Sequence, residues 1–274
     1  MKSKGIKEGN IIYLKDATGS QLLGVFGNEK SHKGKLFNYI KPNKSNVYIY
    51  YAGHGAPGKE GDAYLVPTDT DSQTIEFTGY PLSTLYSNLG KLPAKSMTVI
   101  LEACFSGGSQ SGSLISRASP IVIQPKKTFI PSNIKVIAAG SERQMASWEE
   151  DSSHSLFTKY FLKAMSGEGD SNKDGKVSDN ELKEYLSDTM TYYARRYYGR
   201  DQKVQIYNGG KWMNDAFKMK SVVMALGIFI SSVANANISN DSRLGYSGIS
   251  TFYFPILTCI IITVVLTIFF NFFK

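Results

Sequence analysis

The chain has 274 residues, 42% hydrophobic and 20% charged, enough for one sizeable domain or two small ones and too apolar for wholesale disorder. Its 31 Lys and Arg against 23 Asp and Glu leave a formal charge of +8, which permits a basic or membrane-facing surface without requiring nucleic acid. Two cysteines, Cys104 and Cys259, exclude a disulfide-rich scaffold, and three scattered histidines, His32, His54 and His154, do not make a structural zinc module.

Up to about residue 208 the text alternates between short β-rich apolar runs and amphipathic stretches. The runs are Ile11 to Leu14, Asn46 to Tyr51, Met97 to Leu101, Lys135 to Ala139 and Val204 to Tyr207. They are nearly continuous in apolar residues, as parallel strands buried on both faces are. Between them Leu82 to Leu92 and Leu156 to Met165 place Leu, Tyr and Phe at helical spacing. The alternation predicts an α/β fold with helices on both sides of a mostly parallel sheet. Beyond residue 208 the composition changes. Residues 209–251 read as a linker holding a short apolar segment, 221–236, which follows Lys218 and Lys220 and ends Ala-Asn-Ala. That segment has the layout of a secretory signal peptide out of place, and reads equally as a marginal membrane pass or a buried helix. No charge occurs from Leu244 to Phe273, and residues 252–273 are expected to form a transmembrane helix, being close to the roughly 20 residues a bilayer core requires. Basic residues before the first apolar run would then keep the main domain cytoplasmic.

In parallel sheets reactive groups gather beyond the carboxyl ends of strands. Two strands here end conspicuously, one in Ala52-Gly53-His54-Gly55 and one in Glu102-Ala103-Cys104-Phe105-Ser106-Gly107-Gly108. A cysteine near pKa 8.5 is only a few per cent thiolate at neutral pH, so a nucleophilic Cys104 needs a base such as His54 beside it. The backbone amides of Gly55 and Cys104 are candidates for an oxyanion hole. The plainer alternative is a small buried cysteine and a hydrogen-bonded structural histidine.

The stretches Tyr50 to Gly55 and Glu102 to Gly107 together resemble the caspase-like cysteine peptidases, a group that includes caspases, metacaspases and bacterial caspase-family proteins, with legumain more distant. A His-to-Cys separation of about 50 residues is already characteristic of caspases. The resemblance covers about residues 8 to 208 and includes Asp62 to Pro67, which looks like the family's hairpin after the histidine loop. It implies a three-layer α/β sandwich and a cysteine endopeptidase acting on polypeptides, with no cofactor needed for the chemistry. Cys104 would attack the scissile carbonyl, His54 would protonate the leaving amine, and the amides of Gly55 and Cys104 would hold the oxyanion. Glu102 stands where metacaspases carry an acid in the S1 pocket, which would favour Arg or Lys at P1. Legumain-like enzymes with Glu there prefer Asn, and Glu102 could instead be a structural acceptor under the turn. Gly140 and Ser141 are further S1 candidates. The chain begins directly before what looks like the family's second strand, so the first strand and helix of the pattern are missing and an unpaired sheet edge is expected. A non-catalytic interaction module on the same scaffold is the alternative function.

Asp170 to Glu181 fits a twelve-residue EF-hand-type calcium loop. Asp170, Asn172 and Asp174 supply oxygens, Gly175 makes the turn, the Lys176 carbonyl and Ser178 follow, and Glu181 closes the loop. Ca2+ is therefore expected in a structural or regulatory role, against the alternative of a metal-free turn capping the next helix. Tyr192 to Arg200 mixes aromatic and basic residues, read as the packed and solvated face of one helix, with no nucleic acid expected as partner.

Overall fold

The computed structural model describes residues 6–58, 62–103, 105, 108–109, 112–113, 128–140, 144, 147, 155–212 and 259–265. Strand β1 (Ile11–Lys15) leads into α1 (Gly19–Phe26), which Thr18 opens through a capping box. The Thr18 hydroxyl accepts from the Gln21 amide while the Gln21 side chain accepts from the Thr18 amide, so two helix-end donors are satisfied at once. After α2 (Lys35–Tyr39), strand β2 (Asn46–Ala52) buries Val47, Ile49 and Tyr51 on one face by strict alternation. A small antiparallel sheet of β3 (Gly55–Pro57), β4 (Ala63–Leu65) and β5 (Tyr80–Pro81) stands beside it, with the one-turn α3 (Ile75–Thr78) between the last two.

Helix α4 (Leu82–Gly90) precedes β6 (Ser96–Glu102), and β7 (Gly108–Ser109) pairs with β8 (Gly112–Ser113). Next come β9 (Phe129–Ile130), β10 (Ile134–Ala138), α5 (Leu156–Lys163) and α6 (Asp179–Leu186). Then follow α7 (Tyr192–Tyr198), β11 (Gln205–Asn208) and β12 (Lys211–Trp212). The expected helix at Leu156 to Met165 is present, and π-turns at Ala164–Glu168, after α5, and Ser187–Thr191, between α6 and α7, interrupt the regular helical spacing. Gly199, with φ of 61°, ends α7 in the left-handed conformation that glycine adopts without steric cost.

The main sheet has six strands in the order β1-β13-β2-β6-β10-β11, where β13 is Cys259–Val265. All neighbours run parallel except β10 and β11. One face, carrying Val47, Ile49, Met97, Val99, Leu101 and Val136, packs on α1, α2 and α4 through Leu22, Phe26, Leu36, Leu85 and Tyr86. The other carries Ile100 and Ile137 against Leu156, Phe157 and Phe161 of α5, Leu182 and Leu186 of α6, and Ala194 of α7. Helices thus cover both sides of a mostly parallel sheet, the layering expected from the alternation.

The C-terminal expectation is corrected. No helix among the described residues is long and apolar enough to cross a membrane, and residues 259–265, inside the segment 252–273 read as a transmembrane helix, form a strand. The run Ile260-Ile261-Ile262-Thr263-Val264-Val265 is β-branched throughout, and such side chains favour the pleated sheet. A doubly buried parallel strand and a membrane helix are both uncharged and apolar, so hydropathy alone does not separate them. The expected open edge is likewise filled, since β13 lies between β1 and β2. The apolar segment 221–236 lies outside the described residues.

Leu101 is fully buried one residue before Glu102. Replacing it with Ala is expected to cost about 2–5 kcal/mol of stability, read as a lowered urea midpoint with unchanged slope.

Candidate active site

His54 is delivered by the end of β2. The parallel register sets Ala52 opposite Glu102, and the Gly53 amide donates to the Glu102 carbonyl at 3.1 Å. The turn that carries His54 is therefore tied to β6 two residues before Cys104. Tyr51, buried beneath, holds the same turn: its hydroxyl donates to the His54 carbonyl at 2.7 Å and accepts from the Val66 amide at 3.2 Å. The Val66 amide also reaches the His54 carbonyl at 3.0 Å. Burial pushes the Tyr51 phenol well above its ordinary range, so it stays a protonated donor. His54 is half-buried, and burial lowers its pKa, which favours the uncharged imidazole. Gly55 begins β3 opposite Leu65 and is buried.

Glu102 ends β6 with a buried side chain. Its Oε2 accepts from the Tyr50 hydroxyl at 2.6 Å and from the Thr158 hydroxyl, and the two hydroxyls also contact each other. Burial raises the Glu102 pKa, opposed by the Thr158 and Tyr50 hydrogen bonds. Burial, and then the neighbouring Glu102 charge, raises Tyr50. The structure thus gives Glu102 the hydrogen bonds of a structural acceptor while leaving it at the strand end where the resemblance sets the S1 acid. Among the described residues both of its side-chain hydrogen bonds fall on Oε2.

Gly140 lies just past β10, where an added Cβ would come within 3.2 Å of the Gln144 side chain. Around it Gln202, fully buried, donates to the Ala139 carbonyl at 3.1 Å and accepts from the Ser147 amide at 2.8 Å. The Gln202 carbonyl accepts from Thr191 at 2.6 Å, and Gln144 accepts from the Lys203 amide at 3.0 Å. Cys104 and Ser141 lie outside the described residues, as does His154. The chain neighbour Phe105 is buried in the core on the α1 and α4 side of the sheet.

Sequence reasoning singled out His54, Gly55, Glu102 and Gly140 but missed Tyr50, Tyr51, Thr158 and Gln202. The adjacent tyrosines were visible as a strand end, and alternation places them on opposite faces. The partners of Tyr50, at 102 and 158, are supplied by crossover connections that leave no local signature, whereas those of Tyr51, at 54 and 66, lie in the turn and hairpin that follow it.

The loop from Asp170 to Glu181 sits between α5 with its π-turn and α6, giving the expected helix, loop and helix. Gly175 has φ of 82°, the sharp turn expected there. Asp170 accepts from the amides of Asp174 and Gly175, Asn172 from Asp174, and Asp174 from Lys176. Glu181 Oε1 accepts from the Asn172 amide and the Ser171 hydroxyl, and Oε2 accepts from the Ser178 amide in a second capping box. Those bonds, the Ser178 amide foremost, hold the Glu181 carboxyl down to about 2. No group of three or more His, Cys, Asp or Glu side chains converges to hold a metal among the described residues. In the aromatic and basic stretch, Tyr193 stacks on Tyr160 at 5.5 Å between ring centroids and Arg195 pairs with Asp201.

Compared with known families, residues 34–208 match the model of the caspase domain. Among curated proteins nothing matches the chain.

Replacing Tyr51 with Phe removes the anchor of the His54 turn and is expected to lower stability by about 1–3 kcal/mol. If the turn does not depend on that hydroxyl, the amides of 53–55 and 66 will keep their wild-type hydrogen exchange. Because the folded pKa of Glu181 lies below its ordinary 4.5, its stabilisation is complete above 4.5 and lost as pH falls towards about 2. An acid titration followed by circular dichroism should therefore show a transition in that window that Glu181→Gln flattens.

Proposed function

Because the chain belongs to the caspase-domain family of cysteine peptidases, we propose that it hydrolyses peptide bonds through Cys104 and His54, cutting after Arg or Lys. The observation that carries this reading is the 3.1 Å bond from the Gly53 amide to the Glu102 carbonyl, which fastens the histidine turn to the strand that continues into Cys104. The neutral form favoured by the burial of His54 suits a group that takes the thiol proton, and the imidazolium so formed is the acid that the leaving amine requires. The thiolate adds to the carbonyl carbon, and the oxyanion is received by the amides of Gly55 and Cys104. Collapse of the tetrahedral intermediate breaks the C–N bond as His54 returns the proton to the amine. Water, deprotonated by His54, then releases the acid product from the thioester and restores the thiol.

For the P1 residue, Glu102 gives its Oε2 to Tyr50 and Thr158, and the proposal assigns its other oxygen to a P1 guanidinium or ammonium. Gly140 and Ser141 would form the opposite wall, with Gln202 bracing the backbone beside Gly140. A cationic P1 side chain would also offset the desolvation that raises the Glu102 pKa.

Calcium in the 170–181 loop is a separate part of the proposal, supported by the oxygen-bearing residues at Asp170, Asn172, Asp174, the Lys176 carbonyl, Ser178 and Glu181. As the loop stands these carboxylates are engaged by its own amides, and among the described residues no three of them converge on one point. Ca2+ would have to draw Glu181 away from the Ser178 amide. Calorimetric titration with CaCl2 should give a one-site isotherm that Glu181→Gln abolishes, and no heat from the wild-type chain would remove calcium from the reading.

Fluorogenic peptides ending in Arg, Lys, Asn or Asp test the peptidase. Arg and Lys peptides are expected to be cut, and Cys104→Ala to lose at least about a thousandfold in kcat/KM. Glu102→Gln keeps an acceptor for Tyr50 and Thr158 but loses the charge, so Arg over Asn discrimination should fall about 10- to 100-fold. With the His54 pKa lowered, the acid limb of kcat/KM should lie below pH 6.5. A folded chain that cuts none of these peptides would leave the caspase scaffold as an interaction module.

A further inference from the structure

Strands β1 and β2 lie on either side of β13 and do not pair with each other. Seven residues of β13 pair with β2, from Cys259 opposite Asn46 to Val265 opposite Ala52, and five pair with β1, from Ile261 opposite Ile11 to Val265 opposite Lys15. Without β13 each of these strands would present an unpaired edge, and they would stand two strand spacings apart, about 9.6 Å. Outside β13, contacts such as the Gly19 amide with Asp69 and the Thr68 amide with the Ala17 carbonyl hold the segment after β1 to the segment that follows β4.

The strand that fills the gap comes from far along the chain. β12 pairs with β9, and residues 213–258 then lead to β13. From β11 to β13 the sheet steps across four strand positions, about 19 Å, a distance such a connection spans many times over when extended. A strand supplied from so far along the chain is, in binding terms, a ligand tethered to its site at high effective concentration.

We propose that the gap between β1 and β2 is a strand-binding site whose ligand is the chain's own C-terminal segment, residues 259–265, docked parallel. The class of ligand is an uncharged heptapeptide without proline in which six residues are β-branched, as in Cys-Ile-Ile-Ile-Thr-Val-Val. The site takes its backbone hydrogen bonds from both neighbours, so a strand on either edge of the sheet would satisfy it only by half. Occupancy bears on the candidate active site because β2, which makes the longest pairing with the ligand strand, ends at the His54 turn. The docked segment therefore acts as a positioning element for His54. The same apolar run is chemically able to enter a bilayer, and the docked strand is the state the structure supports.

The experiment uses the full chain with a protease recognition sequence inserted in the 213–258 connection, cut after folding, in the presence of phosphatidylcholine vesicles. Expected is that the C-terminal piece co-elutes with the main body in the vesicle-free fraction. Amides of 259–265 should exchange at least on the order of 100-fold slower than an unstructured peptide, matching those of 47–51. Excess synthetic peptide 256–268 should displace the piece over time. Ile262→Pro removes an amide from a strand paired on both sides and should abolish retention and expose amides 11–15 and 46–52, whereas Ile262→Val should not. The proposal is overturned if the piece separates, or moves to the vesicles, while amides 46–52 stay protected. None of these readouts requires hydrolysis, so failure of the peptidase reading and failure of the strand site are told apart.

Discussion

The parallel pairing of β2 with β6 is the constraint on which the rest of the molecule depends. Its register puts Ala52 against Glu102 and allows the Gly53 amide to close the last bond across the strand ends. A slip of one residue would turn Val47, Ile49 and Tyr51 off the core face and move Tyr51 away from the His54 turn. The apolar faces of the two strands therefore fix the register, and the register fixes where His54 stands relative to the segment entering Cys104. Helices on both sides enforce this, since parallel strands are stable only when both faces are covered.

Polar groups gather where the strands end, and each is satisfied in a way that stiffens the site. Tyr51 works on one face of β2, bonded to the backbone of the His54 turn, while Tyr50 works on the other, bonded to Glu102 and through it to Thr158 of α5. Gln202 does the same beyond β10, joining the Ala139 carbonyl to the Ser147 amide. In a poorly solvated interior such groups are costly when unpaired, so the networks set conformations that a purely apolar packing would leave free. Their physical effect on titration follows from the same burial: the His54 pKa falls and those of Glu102 and Tyr50 rise.

The loop from Asp170 to Glu181 follows a different logic. Its oxygens receive backbone amides of the loop, and Glu181 serves as the far half of a capping box for α6. Helix capping and metal ligation call on the same residue types, because each needs short side-chain oxygens facing backbone donors or a cation. Sequence pattern alone therefore marks the loop without saying which use prevails.

The sequence by itself determined the α/β alternation, the strand ends carrying His54 and Glu102, the caspase resemblance and the helix, loop and helix around Gly175. These are encoded locally, in β-branched runs, helical spacing and glycines that only certain turns need. Only the tertiary structure decided that residues 259–265 of the C-terminal apolar run form a strand. An uncharged run of Ile and Val suits a bilayer and a doubly buried strand equally, and the choice rests on the gap between β1 and β2 that it fills. Tertiary structure also decided that Glu102 meets Tyr50 and Thr158, and that Gln202 braces the end of β10. Such partners come together only through crossover connections, and hydrogen bonds between residues so far apart in the chain leave no periodic trace in it.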